Sequence, residues 1–386
     1  MDQRPSDLLV VVTAALATVS CVFPGLATGA LAVQASDDFG ITEGVWGRTL
    51  GAFFLGAAIS AIPAGRLAQR IGPRPQLTGG LLLTAGCQIA IAGLVQNFTL
   101  LLVALSFAGV MNSVVQTAVN LSISRAQLTR LGLAMATKQS AMPASAMLGG
   151  LAVPVIALTV GWRWAYVAGG MLALATVVLV QFAVVTAAPA ELVNGATAGV
   201  VESTRKALLG AALVSLGLSF TAGSIVAWTV SSGVDAGLAE GTAGLMLSLS
   251  AVLGICVRLL IGQRVDRSKE APLRFAARVT TVGVVGFALL SLRLPALHVV
   301  ASVLAFAGGW VWPVLTNFAV VNANPRSAGA ATGVTQMGVY IGVFVAPLIT
   351  GWIVDTQGYQ PMWLLVAAVG AAGVVGAWRI SPDFPR

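Results

Sequence analysis

The chain repeats itself at an offset of 197 residues. Gly65 and Arg70 in the segment GRLAQR recur as Gly262 and Arg267 in GQRVDR, and Asn120, Gly132, Gln139 and Gly161 recur as Asn317, Gly329, Gln336 and Gly358 without a change of register. A repeat this long means two halves with one layout, each of which must pack against a near-copy of itself.

Composition fixes the solvent. The 386 residues are 57% hydrophobic and only 9% charged, which a water-soluble domain of this length would not tolerate. Apolar stretches able to cross a bilayer, roughly 20 residues each, fall near 8–31, 45–64, 77–95, 98–121, 132–155 and 163–186. The same offset yields a second set at 208–231, 241–261, 273–292, 296–319, 329–352 and 360–379. Backbone groups in lipid must be satisfied within their own segment, so these are helices; the alternation of a membrane barrel is absent. The expected fold is an all-α membrane protein of twelve transmembrane helices in two pseudo-symmetric six-helix halves, 1–187 and 207–386, joined by a linker over 188–206 that carries Pro189, Gly195 and Gly199. An internal repeat in so apolar a chain is a signature of transporters, whose site lies between the halves near the midplane.

An even number of spans puts both termini on one side, and the basic residues say which. Arg66, Arg70, Arg74, Arg125, Arg130, Arg205, Lys206, Arg264, Arg267, Lys269, Arg274 and Arg326, with Arg4, Arg379 and Arg386, fall on the terminal face, against Arg48, Arg163 and Arg293 on the other. By the positive-inside rule the termini are cytoplasmic and the protein is a multi-pass protein of the cell membrane. The net charge of +8 is then a topology signal, and nucleic acid is not a partner. The first stretch outruns a signal-peptide core and has no convincing cleavage site, so it reads as a span. Cys21, Cys87 and Cys256 fall inside spans without metal-ligand or disulfide spacing and read as packing residues. The single histidine, His298, reads as an interfacial bystander at the outer end of the tenth span. No nucleotide loop, metal cluster or nucleophile motif is present, so no cofactor and no catalytic residue is expected, and an enzyme is not.

The chain resembles the major facilitator superfamily along essentially its whole length. The family's loop motif after the second span, approximately G-x-x-x-D-R-x-G-R-R/K, is matched by Gly65, Arg66, Arg70, Gly72 and Arg74, with Gln69 in place of the usual Asp. The second copy has Gly262, Asp266 and Arg267, and lacks the trailing glycine. The resemblance implies a gate: glycine permits close helix approach, and a short loop of acid and bases pairs with a neighbouring helix end in one state only.

The superfamily does not fix the substrate. Every Asp and Glu lies in a loop or at a span end, whereas Lys138 in the fifth span and Arg258 in the eighth intrude into the membrane. Their repeat counterparts are Thr335 and Ala61, so the architecture demands neither charge. Cations without acids favour a small anionic substrate, which a guanidinium can hold in a two-pronged fork. Arg258 also resembles the eighth-span arginine of monocarboxylate and related anion carriers, but Gly254 stands where those carriers have an aspartate proton partner, which leaves proton coupling open. The alternative for both cations is that they snorkel to the interface.

Asn112, Gln116 and Asn120 form a stripe on the fourth span; Gln336 and Tyr340 lie one turn apart on the eleventh, Ser224 and Trp228 on the seventh, and Asn317 on the tenth. They read as cavity-lining candidates or as polar contacts between helices. Pro24, Pro143, Pro154, Pro313 and Pro347 read as kinks. The leading reading is a monomeric secondary transporter of a small organic anion, a monocarboxylate in particular. The alternative is a multidrug or metabolite exporter, against which stands the separation of Pro143 from Gly149 and Gly150, where such exporters carry a compact G-P-x-x-G-G run.

Two outcomes are expected. Tags in the 188–206 linker and at either terminus should all report from the cytoplasm, and labelling of a linker cysteine by an impermeant external reagent in intact cells would invert the assignment. Asp266→Asn should slow transport with little loss of affinity; unchanged turnover with collapsed binding would show that the motif is not a gate.

Overall fold

The computed structural model describes residues 6–126, 131–184, 203–265, 270–324 and 328–384. These are helical almost throughout, with no strand among the described residues, and twelve helical segments are long and apolar enough to cross a membrane. The first runs over Asp7–Ala30, and Ser6 caps it by accepting from the Leu9 amide at 3.3 Å. Asn97 caps the fourth span, Phe98–Ile123, and Thr204 caps the seventh, Arg205–Asp235, in the same way. Most of the linker read over 188–206, its first fifteen residues, lies outside the described residues.

The repeat is visible in the backbone. Gly161 and Gly358 are repeat counterparts at equivalent turns, and both take left-handed φ values, +101° and +84°, that only glycine adopts without strain.

The two sets of six spans meet through small residues at repeat-related points. A methyl placed on Gly29 of the first span would collide with the carbonyl oxygen of Val226 on the seventh, its own repeat counterpart, so the pseudo-two-fold axis passes there. On one side of that axis, a methyl on Gly47 would lie 3.0 Å from the Pro347 carbonyl oxygen; on the other, a methyl on its counterpart Gly244 would lie 2.6 Å from that of Gly150. The second span therefore seats on the eleventh as the eighth seats on the fifth. Close backbone approach of this kind is how helices associate where no hydrophobic force separates protein from solvent.

These contacts sit on the far side of the bundle, away from the termini. Every residue from Ala17 to Ala32 in the first span and its extension, and from Leu218 to Gly233 in the seventh, is buried. Toward the terminal face both spans expose side chains again, at Leu8 and Val12 and at Leu209 and Leu213. The two sets of spans are thus closed on each other at the far face, and the all-round burial of the first and seventh spans ends toward the terminal face.

The five prolines read as kinks meet three outcomes. The tenth span is interrupted: one helix ends at Gly309, a second begins at Trp312, and Pro313 sits in the first turn of the latter. Pro154 lies in a π-helical segment, Val153–Ala157, whereas Pro24, Pro143 and Pro347 lie within unbroken helices. Cys21 and Cys87 are buried, but Cys256 is exposed, so it is not a packing residue.

Because Gly244 serves the contact between the halves rather than packing within one, Gly244→Val should leave the helices folded and prop the far seam open by overpacking, at a cost of roughly 1–3 kcal/mol. A cysteine placed at buried Ser231, in a Cys256→Ser background, should then react with an impermeant maleimide that does not reach it when Gly244 is retained. Equal reactivity in both backgrounds would show that this glycine contact does not close the seam.

Candidate functional site

Arg258 is 4% exposed, in the part of the eighth span nearer the terminal face. Its Nη1 donates to the carbonyl of Gln139 on the fifth span at 2.8 Å, and its Nη2 donates to the carbonyl of Trp310 at the break in the tenth. Prolines make both acceptors available. Pro143 stands four residues after Gln139 and has no N–H to return to that carbonyl. At the other site the interruption turns the Val314 amide to Val311 at 3.2 Å instead of to Trp310. A bare carbonyl in an apolar bundle costs several kcal/mol, and Arg258 removes two such costs with one side chain. Its guanidinium also lies 5.8 Å from the centre of the Trp310 ring. It does not snorkel, and among the described residues no carboxylate pairs with it.

Lys138 is one residue before Gln139 and 9% exposed. It lies in electrostatic range of Cys21 on the first span. The Cys21 thiol in turn donates to the carbonyl of Thr18 and to Oδ1 of Asn112 on the fourth span, each at 3.3 Å. The fifth, first and fourth spans thereby bring Lys138, Cys21 and Asn112 together. One turn from Asn112, Gln116 holds a buried Oε1 with no hydrogen-bond partner. Among the described residues Lys138 has neither a hydrogen bond nor an ion pair. An ammonium in that position carries a cost of burial that no ion pair among the described residues offsets.

The other candidates divide. Gln336 hydrogen-bonds the Tyr340 hydroxyl one turn away, and Asn317 is half-buried on the tenth span. Ser224 donates to the Phe220 carbonyl at 2.8 Å and the Trp228 indole to Thr350 at 2.7 Å, so both are spent on structure. Asn120 is exposed. His298, in the first turn of the tenth span, is buried between helices: it is 1% exposed, and its Nε2 lies 3.1 Å from the Ser232 hydroxyl on the seventh span.

The loop motif also differs from expectation. A methyl on Gly65 would meet nothing within 4 Å, so this glycine marks no close approach in the observed conformation. Gly72 is the residue with a backbone reason, a φ of +83° at the turn into the third span, Pro73–Gly93. Arg74 donates to the side chain of Gln181 at 3.2 Å and to its carbonyl at 2.7 Å, a tie between the third and sixth spans. Arg66 and Arg70 are exposed, Gly262 lies in the last turns of the eighth-span helix, and Asp266 and Arg267 lie outside the described residues.

Sequence reasoning passed over the far seam. The Tyr359 hydroxyl donates to Glu43, Asp355 accepts from the Thr42 hydroxyl at 2.9 Å and the Gly44 amide at 3.0 Å, and Glu240 accepts from the Gln34 amide at 2.6 Å. Each bond joins the first six spans to the last six. Glu43 and Glu240 are repeat counterparts, and that correspondence is readable in the sequence. Arg278, also passed over, lies in the ninth span and pairs with Glu270 near the terminal face.

The sequence matches the family profile of the Major Facilitator Superfamily over residues 8–347. No curated protein sequence matches it. Among solved structures it is similar to the crystal structure of a D-xylose-proton symporter, with a TM-score of 0.77 over 98% of both chains and 14% identity, a likeness of fold. A profile match over most of the chain, carried on twelve membrane-spanning helices, makes this protein a multi-pass membrane transporter belonging to the major facilitator superfamily.

Proposed function

We propose that the protein is a secondary transporter of a small organic anion, a monocarboxylate in particular, working by alternating access as a monomer in the cell membrane with both termini cytoplasmic. The observation that carries this reading is Lys138, a buried ammonium without a partner among the described residues, one residue from the carbonyl that Arg258 holds. A carboxylate entering from the terminal side finds an ammonium, the Asn112 and Gln116 amides, and the Arg258 guanidinium. No carboxylate shares this region among the described residues; Glu43, Glu240 and Asp355 stand at the far seam. A cationic substrate would meet repulsion without a counter-charge.

The D-xylose-proton symporter of similar fold couples its sugar to protons. Proton symport is the coupling proposed here, with Glu43 and Glu240 as the carboxylates placed to exchange a proton at the far face. In this scheme Lys138 is the principal anchor and Arg258 a second prong; Gln336, Tyr340 and Asn317 line the opposite wall.

The test is thermal unfolding of the purified protein with acetate, pyruvate, L-lactate, a neutral sugar and a hydrophobic cation, since a ligand of the folded state raises its stability. A carboxylate should raise the melting temperature, and Lys138→Gln should weaken that ligand more than about tenfold, the loss of a charge-assisted pair. Without ligand, Lys138→Met should melt higher than the native protein, because it removes an uncompensated charge from the bundle. Arg258→Gln should melt lower, because it strips two carbonyls of their donor. Stabilisation by the hydrophobic cation alone would replace this reading with that of an exporter.

A further inference from the structure

Arg258 has two uses that exclude each other. Its bond to Trp310 stays among the last six spans, but its bond to Gln139 crosses to the first six. The fifth and eighth spans run antiparallel along this seam and are tied at three levels. Nearest the far face Gly150 and Gly244 are in backbone contact; next, the Ser248 hydroxyl donates to the Met147 carbonyl at 2.8 Å; nearest the terminal face stands the bond from Arg258 to Gln139. Two of these ties are neutral. The third is charged, and its acceptor is free because Pro143 cannot donate to it.

A carboxylate is a stronger acceptor for a guanidinium than a neutral carbonyl is. An anion attracted by Lys138 arrives one residue along the fifth span from the carbonyl that Arg258 occupies. The geometry points to Arg258 as a ligand-released latch: empty, it clamps the fifth span to the eighth through Gln139, and a bound anion draws it off that carbonyl and frees the terminal end of the seam to move. This inference rests on the anion reading for its trigger and on the hydrogen bond alone for the latch. The departure of Arg258 from Gln139 then converts substrate binding into relative motion of the two sets of spans. The bond to Trp310 is the pivot that stays, since the interrupted tenth span always needs a donor there.

The experiment separates latch from trigger. Val12 and Leu209 are repeat counterparts near the terminal ends of the first and seventh spans, 40% and 49% exposed. Cysteines at both, in a Cys256→Ser background, carry spin labels, and pulsed dipolar spectroscopy reads their separation. Arg258→Gln without ligand should shift the ratio of the native separation to others by about tenfold or more, the effect of losing a hydrogen bond from a charged group. Pro143→Ala keeps every charge and gives Gln139 an ordinary helical donor, so it should fold and shift the ratio in the same direction by about threefold. Arg258→Lys, with a point charge in place of the fork, should fall between Arg258→Gln and the native protein. Saturating pyruvate, L-lactate or acetate should shift the native protein the same way and leave Arg258→Gln unmoved.

Separations unchanged in both Arg258→Gln and Pro143→Ala overturn the latch. A carboxylate that raises the melting temperature without moving the labels overturns the release while the anion site stands. Should no carboxylate raise the melting temperature, the anion reading falls and the trigger with it, and Pro143→Ala still decides whether the latch exists.

Discussion

Inside an apolar bundle a backbone carbonyl without a donor costs several kcal/mol, and Arg258 stands between two of them. Pro143 leaves Gln139 without its helical partner, and the interruption before Pro313 leaves Trp310 without its own. Each bare carbonyl costs several kcal/mol, and each bond from a charged donor returns about 1.5–3 kcal/mol. On the insertion scale a buried arginine costs about 2.5–3.5 kcal/mol. Set against one another, these terms offset: Arg258 and its two carbonyls are each costly alone and tolerable together. No such offset is available to Lys138 among the described residues, where it has neither a hydrogen bond nor an ion pair. The same arithmetic that accounts for Arg258 as a structural tie underlies the proposal of Lys138 as a ligand anchor.

Around this point the scaffold is symmetric and the chemistry is not. Gly29 meets its own counterpart Val226, and the second span meets the eleventh as the eighth meets the fifth. Such a seam is built twice from one design, so it can close on either side of an axis with equivalent contacts, which is what a rocking motion of two repeats requires. The cations break the symmetry, since Lys138 and Arg258 have Thr335 and Ala61 as counterparts. Among the described residues a buried cation crosses only the seam between the fifth and eighth spans, so that seam is where the proposed anion would bias the motion.

The sequence made the helices legible because a bilayer tolerates nothing else, and hydropathy placed all twelve spans within a few residues of their observed positions. It did not show the interruption at Trp310, because the stretch from 296 to 319 is apolar on both sides of the break and hydropathy is blind to backbone hydrogen bonding. Pro313 was the available signal, yet Pro24, Pro143 and Pro347 gave the same signal from within unbroken helices. Lys138 and Arg258 were legible as charges out of place. What Arg258 holds was not, since its partners are carbonyls and every residue has one; Pro143 marks the Gln139 carbonyl as lacking its helical donor, but Pro24, Pro63 and Pro347 mark others in the same way. Gly65 and Gly72 show the converse. A motif gives both as glycine, and the backbone shows that Gly72 is required by its φ while Gly65 has open space around it.

The distribution of polar contacts follows what has to stay fixed and what has to move. Arg163 pairs with Asp38 at 3.3 Å among the first six spans, and Arg293 with Asp235 at 2.9 Å among the last six. Asp38 and Asp235 are repeat counterparts, so the same acid anchors a cation within each set. Between the sets at the far face there is no ion pair among the described residues; Glu43, Asp355 and Glu240 accept instead from a phenol, a hydroxyl, a backbone amide and a side-chain amide. A net contribution of about 1.5–3 kcal/mol for a hydrogen bond to a charged group is large enough to hold the far seam closed when several act together. It is small enough for water to replace them one at a time as the seam opens. Ion pairs across that seam would tie it shut more firmly, and ion pairs within each set cost nothing when the sets rock. The bonds that must break therefore have neutral donors, and the bonds that travel with each set are charged at both ends. Arg258 is the exception, a charged donor that crosses between the sets, and its partner Gln139 stands next in sequence to Lys138, a buried cation with no ion pair among the described residues.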